Sequence, residues 1–337
     1  MASFLILIIS YFFCLGIAAD CGGRNISYTI IVSKQDKSTF TTIQAAVDSI
    51  KNNNDEWVKI HIKADTYMLY IMIPILQLCR EKVQIPKEKP CIILEGEGRQ
   101  NTMISYSDHN GTSSSSIFIS WPPNVILSDI TFKNWFDLMG SQSIQPAPAA
   151  AIYGDKSVFF KCGFISYQDT LFDEMGRHYF KDCYIQGEVD FIYGGGQSYY
   201  EACTINATKT KNTTSSGFVT AQCRFSESDP SGFVFRSGCV TGIGEVNLGR
   251  AWGPYSRVIF YGTYFSSIVT PQGWDSWDYA GQESKLTYAE VDCFGPGANT
   301  SERVQWGKKL SNSQLNEFSL SSFINQDEWL SNLPVKF

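Results

Sequence analysis

The stretch Cys162-Gly163-Phe164-Ile165-Ser166-Tyr167-Gln168-Asp169-Thr170-Leu171 is followed 21 residues later by Cys183-Tyr184-Ile185-Gln186-Gly187-Glu188-Val189-Asp190-Phe191-Ile192. Cys203 and Cys223 continue the series at intervals of 20 and 20, and each cysteine has an apolar residue two positions on: Phe164, Ile185, Ile205 and Phe225. Val158, Phe160, Cys162 and Phe164 fall on alternate positions, the period of a strand with one buried face. A repeat of roughly 20 residues built on short strands predicts a parallel β-solenoid. Its coils stack at the spacing of hydrogen-bonded strands, about 4.8 Å. Asp169 and Asp190, one period apart, are therefore expected to be near neighbours on the outer face.

The 337 residues are 43% hydrophobic, enough for a large core, and a solenoid of this length can form one domain. Residues 1–19 hold no charged side chain and run Phe4-Leu5-Ile6-Leu7-Ile8-Ile9 before Gly16-Ile17-Ala18-Ala19. This reads as a secretory signal peptide, leaving residues 20–337 as the mature domain; a signal anchor is the alternative, although the run is short for a membrane span. Sequons at Asn25, Asn110, Asn206, Asn212 and Asn299 are candidate N-glycosylation sites on an exported chain. Without Cys14 nine cysteines remain, an odd number, and the periodic ones are expected to be small core residues rather than disulfide partners. The net charge of -6, with no dense Lys/Arg stripe, argues against a nucleic-acid partner.

Thr41-Thr42-Ile43-Gln44 has the form of a capping box, and Ile43, Ala46, Val47 and Ile50 mark one helical face. A short N-terminal helix is expected to cap the first coil. Residues 301–337 are mixed, with helical turns expected near residues 313–318, packed along the side of the solenoid.

Three blocks, Tyr167-Gln168-Asp169-Thr170-Leu171, Asp190-Phe191-Ile192-Tyr193-Gly194 and Leu248-Gly249-Arg250-Ala251-Trp252, resemble the signature blocks of plant pectin methylesterases, in the same order. Gly176-Arg177-His178-Tyr179-Phe180 and Gly295-Pro296-Gly297-Ala298-Asn299-Thr300 extend the resemblance, which covers about residues 28–332. It implies an all-β right-handed parallel β-helix with a short capping helix and C-terminal helical segments. The implied activity is hydrolysis of methyl esters on homogalacturonan (pectin), with release of methanol, outside the cell and in the cell wall. No inhibitor-like pro-region precedes the catalytic part, so the chain resembles the short form of the family.

The resemblance also assigns roles. Asp190 is implied to be the nucleophile, Asp169 the acid and later the base, Arg250 the cation that orients Asp190, and Gln168 an oxyanion donor. Trp252, Phe172 and Gln145 are the implied substrate-side residues. Ester hydrolysis needs such parts, and stacked carboxylates can divide two of the roles because like charges at close range raise one pKa while a cation lowers the other. No metal or organic cofactor is expected, since neither a Gly-x-Ser-x-Gly elbow nor a His-Glu-x-x-His helix is present and His61, His109 and His178 read as structural. The expected partners are methylated homogalacturonan and a proteinaceous inhibitor, acting on a monomer. Alone, each of these residues has an ordinary reading: Asp a turn former, Arg250 an ion-pair partner, Gln168 an exposed amide, Trp252 packing.

The chain departs from the family pattern in places. The block that usually supplies a second oxyanion glutamine reads Gln145-Pro146-Ala147-Pro148-Ala149, with Pro146 at the glutamine position and Gln145 one residue out of register. Residues 68–79, nearly all apolar, interrupt the pattern between Tyr67 and Arg80, and are read as retained non-coding sequence or a misplaced splice junction, with a substrate-side loop as the rival. Phe172 stands where a tyrosine is common. A polygalacturonase or pectate lyase, and a catalytically weakened pectin-binding relative, are the competing readings.

Overall fold

A computed structural model describes residues 21–34, 40–64, 81–111, 113–136, 144–209 and 215–336. The expected leader, residues 68–79 and the sequon at Asn212 lie outside them. Each coil of the chain lays down one strand in each of three parallel sheets, which among the described residues hold ten, seven and eight strands. One coil runs Ser157–Phe160, Gly163–Ile165, Leu171–Asp173, and the next runs Arg177–Lys181, Tyr184–Gly187, Ile192–Gly194. They pair in strict register: Phe159 on Phe180, Phe164 on Ile185, Leu171 on Ile192. This is the parallel β-helix that the repeat predicts.

A left-handed residue turns the chain from the first sheet into the second in coil after coil: Asp129, Lys161, Asp182, Ala202, Ser237 and Asp292 all have φ between 49° and 59°. One such residue resets the alternation of side chains. That corrects the expected phase of Val158 and Phe160. Phe159 is the side chain in the solenoid core, Val158 faces outward under other cover, and only beyond Lys161 do Cys162 and Phe164 point inward.

The core is a ladder of rings. Phe159, Phe180, Tyr200, Phe235 and Phe260 stack face to face with centroid separations of 4.6, 4.5, 4.6 and 4.4 Å. In-register coils place like side chains at the strand spacing, which is also a favourable separation for offset rings. Cys162, Cys183 and Cys203 form a parallel column, buried and free of disulfides. Cys223 does not continue it. The register puts Gly238 above Cys203, while Cys223 follows strand Gly217–Gln222 of another sheet and Phe225 is 63% exposed, so the third interval is a coincidence of loop length.

Helix Ile43–Ser49 buries Ile43, Ala46 and Val47 over the first coil. Its cap differs from the expected box: Thr42, not Thr41, accepts from Ala45 N–H at 3.2 Å, and the Glu81 carboxylate accepts from the amides of Ile43 and Gln44. Gln44 instead bonds the backbone of Gln84 in both directions.

The outer face of the ten-stranded sheet, with Trp57, Ile93, Ile126, Val158, Tyr179, Tyr199, Val234 and Ile259, is covered by Phe323, Ile324, Trp329 and Leu333. Asp327 pairs with Lys156 and Arg177, and Arg24 donates to Asn332 at 3.1 Å. Helices Asn312–Glu317, which has a Ser311/Gln314 capping box, and Leu320–Phe323 lead into this strap. At the other end Cys21 and Cys91 form a disulfide, a pairing the sequence did not single out. Closing a loop of 70 residues removes about 4 kcal/mol of chain entropy from the unfolded state. Replacing both cysteines by serine is therefore expected to lower the free energy of unfolding by up to about that amount. Denaturant titration of the two proteins checks it, and equal midpoints would contradict it.

Candidate active site

Asp169 and Asp190 each end a turn into the eight-stranded sheet with φ of 58° and 49°, a left-handed conformation that aspartate tolerates better than most residues. Gln168 bridges Val189, and the Asp169 amide donates to Val189 O at 3.0 Å, so the two aspartates occupy equivalent positions on adjacent coils. Both are largely buried. Arg250, in strand Val246–Ala251 two coils further on, donates from Nε to Asp190 Oδ1 at 2.8 Å and from Nη2 to Oδ2. Its guanidinium lies 3.6 Å from the Trp277 ring centroid and 4.5 Å from that of Phe218, so aromatic faces fix its plane.

These contacts separate the two carboxyls. Asp169 is pushed up to about 8, first by burial and then by the charge of Asp190, with Arg250 and a hydrogen bond from Gln168 opposing. Burial also pushes Asp190 upward, but there the hydrogen bonds and charge of Arg250 work directly against it. Arg250 therefore favours ionisation of Asp190 over that of Asp169, the ordering that nucleophile and acid roles require.

Aromatic side chains run across the same sheet. Trp121 stacks on Tyr153 at 3.9 Å, Tyr153 meets Phe172 edge-on at 5.8 Å, Phe172 stacks on Tyr193 at 4.5 Å, and Trp252 tilts over Tyr193 at 6.0 Å. Phe172 and Trp252 were expected here. Tyr193 was legible as the residue one period beyond Phe172; Tyr153 belongs to a coil of the same length but falls in the neighbouring column, and Trp121 and Trp277 carried no local signal, because coils of unequal length hide their register. Gln145 is exposed, and Pro146 is the residue bridged to Gln168. His178 is wholly buried away from the aspartates, bonded to Asp173 and to Gly154 O. Among the described residues no group of His, Cys, Asp or Glu side chains has the arrangement of a metal site.

A carboxylate pair beside an aromatic row on a parallel β-helix places the chain among the polysaccharide-acting β-helix enzymes. Comparisons with known proteins narrow that class: a pectinesterase family model matches residues 29–327. A protein described as "Probable pectinesterase 55" from Arabidopsis thaliana is 43% identical over 315 residues, 92% of each chain. "Pectinesterase QRT1" of the same plant is 35% identical, covering 93% of this chain and 81% of its own. The solved pectin methylesterase from carrot superposes with a TM-score of 0.81 at 28% identity, covering 90% of this chain and 94% of that one. The chain belongs to the pectinesterase family, carboxylic ester hydrolases that act on the methyl esters of homogalacturonan.

Proposed function

We propose that Asp190 is the nucleophile of this pectinesterase and Asp169 its acid and base. The observation that carries the assignment is the two-point Arg250–Asp190 pair with Asp169 in the equivalent position one coil away. An Asp190 oxygen attacks the ester carbonyl carbon, and the Gln168 amide donates to the oxyanion that forms. The tetrahedral intermediate collapses with cleavage of the bond to methoxide, which takes the Asp169 proton and leaves as methanol. Asp169, now a carboxylate, removes a proton from water; the hydroxide attacks the mixed anhydride and releases Asp190 as carboxylate and a galacturonic acid unit, which gives its proton to solvent. Phe172 and Trp252, with Tyr153, present the apolar faces on which sugar rings rest, and the buried Tyr193 supports Phe172 and Trp252 from beneath. The test is methanol release from highly methylated pectin by the purified chain. Methanol without shortened uronide chains supports an esterase; fragments without methanol would point to a backbone-cleaving β-helix enzyme.

Arg250 has a role that a pH profile reads out. Removing the cation raises the Asp190 pKa further, so a higher pH is needed to ionise the nucleophile. The acidic limb of kcat/KM in Arg250→Ala is expected to move to higher pH, and the basic limb set by Asp169 to move up less, because Arg250 lowers Asp169 by charge alone and Asp190 by charge and hydrogen bonds. Arg250→Lys should reverse only part of the acidic-limb shift, lacking the planar fork. An acidic limb unchanged in the alanine variant would detach Arg250 from Asp190 ionisation.

Pro146 favours a second reading, a weakened esterase, because the ladder seats it where a partner for Gln168 would stand. The remaining assignments concern the setting. Residues 1–19 act as a leader, and the mature domain, residues 20–337, works as a monomer in the cell wall, where proteinaceous inhibitors are its further partners. The Cys21–Cys91 disulfide fits an oxidising compartment. Asn25, Asn110 and Asn299 are exposed and Asn206 half-buried, so glycan attachment is assigned first to the exposed three.

A further inference from the structure

Beyond the reacting pair, strand register brings Trp121, Tyr153, Glu174, Gly195, Cys223 and Trp252 into one row across successive coils, each the residue that follows an in-register strand position. The two tryptophans at its ends are each 39% exposed, so the row opens outward. Its middle is different in kind. Gly195 has no side chain, and a Cβ there would lie 3.1 Å from both Glu174 O and Cys223 O and 3.8 Å from the Cys223 sulfur. The aromatic row is thus interrupted by a notch with a carboxyl on one side and a thiol on the other. Glu174 Oε2 is buried, and among the described residues it meets no hydrogen-bond partner. An unpartnered buried carboxyl oxygen in a native fold calls for an explanation, and a ligand is one.

We propose that Glu174 is a specificity-determining residue of the pectin groove: the galacturonate unit seated over the Glu174–Gly195–Cys223 notch is accepted as its methyl ester and opposed as its free carboxylate. The chemistry is local. A methyl ester is uncharged and meets no opposing charge beside a neutral thiol and aromatic rings. A free carboxylate brings a like charge to a partly desolvated one, where repulsion is felt most. The reading extends the esterase assignment and rests on it, since every turnover converts the accepted form of a unit into the opposed form.

The gate titrates. Glu174 is pushed up to about 7, by burial first and by the charge of Asp173 second, with the Gly195 amide opposing. The other groups that face it are the thiol of Cys223, raised to about 12, and the phenol of Tyr193, raised well above its usual range; both stay neutral throughout. Tyr153 lies on the preceding coil, and Asp173 is itself tied to His178 and Tyr200. Below about 7 the protonated Glu174 tolerates a carboxylate and can donate to it, and above that value it repels one.

The experiment measures inhibition of methanol release by fully de-esterified hexagalacturonate, from pH 6 to 8.5, in the wild-type chain, Glu174→Gln and Glu174→Ala. The wild-type inhibition constant is expected to weaken across neutrality by roughly tenfold more than in either variant, the equivalent of about one pKa unit of coupling. Titration of Asp169 and Asp190 is common to all three proteins and cancels in the ratio. A constant that changes with pH equally in the wild type and both folded variants would overturn the gate. Absence of methanol release from the wild-type chain would instead sink the esterase assignment, so the two failures are distinct.

Discussion

Asp190→Asn is expected to abolish methanol release while leaving the fold and pectin binding intact, because an amide cannot form the acyl intermediate yet keeps the shape that Arg250 grips. Asp169→Asn is expected to retain the nucleophile and lose the proton for departing methoxide, a term worth roughly 10² to 10⁴ in rate. The two variants should also differ in kind. Methoxide is a poor leaving group, so Asp169→Asn should slow acylation at every pH and lose the wild-type basic limb near 8, which belongs to Asp169. Methanol assays on purified proteins, with circular dichroism to establish folding, read both effects. Near-normal release from either folded variant would remove that aspartate from the mechanism.

Gln168→Ala is expected to cost about 10² to 10³ in turnover, the usual price of one oxyanion donor, and Gln145→Ala to cost almost nothing. The difference rests on register. Pro146 is bridged to Gln168, and a shift of one residue along a strand turns a side chain to the opposite face, so Gln145 is out of phase with the position it would have to fill. Gln168 then carries most of the stabilisation alone. Pro146→Gln should raise turnover by restoring a donor in the right column. Equal losses in Gln168→Ala and Gln145→Ala would show that Gln145 reaches the ester after all.

Much of this architecture was legible in the chain because neighbouring coils of equal length repeat their chemistry. The interval between Asp169 and Asp190 equals one coil, and so the stacked carboxylates could be read before any coordinates. Arg250 could not be placed by period, since the coils between it and Asp190 are longer; the Leu-Gly-Arg-Ala-Trp block supplied it. The phase of Val158 and Phe160 was hidden by Lys161, whose single left-handed residue reverses which side of the strand is the core. Cys223 misled for the opposite reason, matching the interval without sharing the column. Glu174 was only half legible: the glycine one coil above it lies one period on, but the thiol one coil beyond that belongs to a longer coil and departs from the period. The capping residue Glu81 was similarly remote, reaching helix Ile43–Ser49 from 38 positions along the chain.

The strap formed by residues 318–335 changes how such a stack of coils can come apart. An array whose members touch only their neighbours can unzip from either end, one rung at a time. Here a lengthwise splint lies across the rungs: Trp329 and Leu333 share one apolar cluster with Trp57 near the beginning and Ile259 near the end, and Asp327 holds Lys156 and Arg177 in the middle. Loosening a terminal rung therefore also exposes part of the splint's own apolar face, which is tied to rungs further along the stack. The fold trades gradual fraying for collective failure, and the cleft in its middle, where the aspartates face each other, keeps its shape until the whole stack gives way.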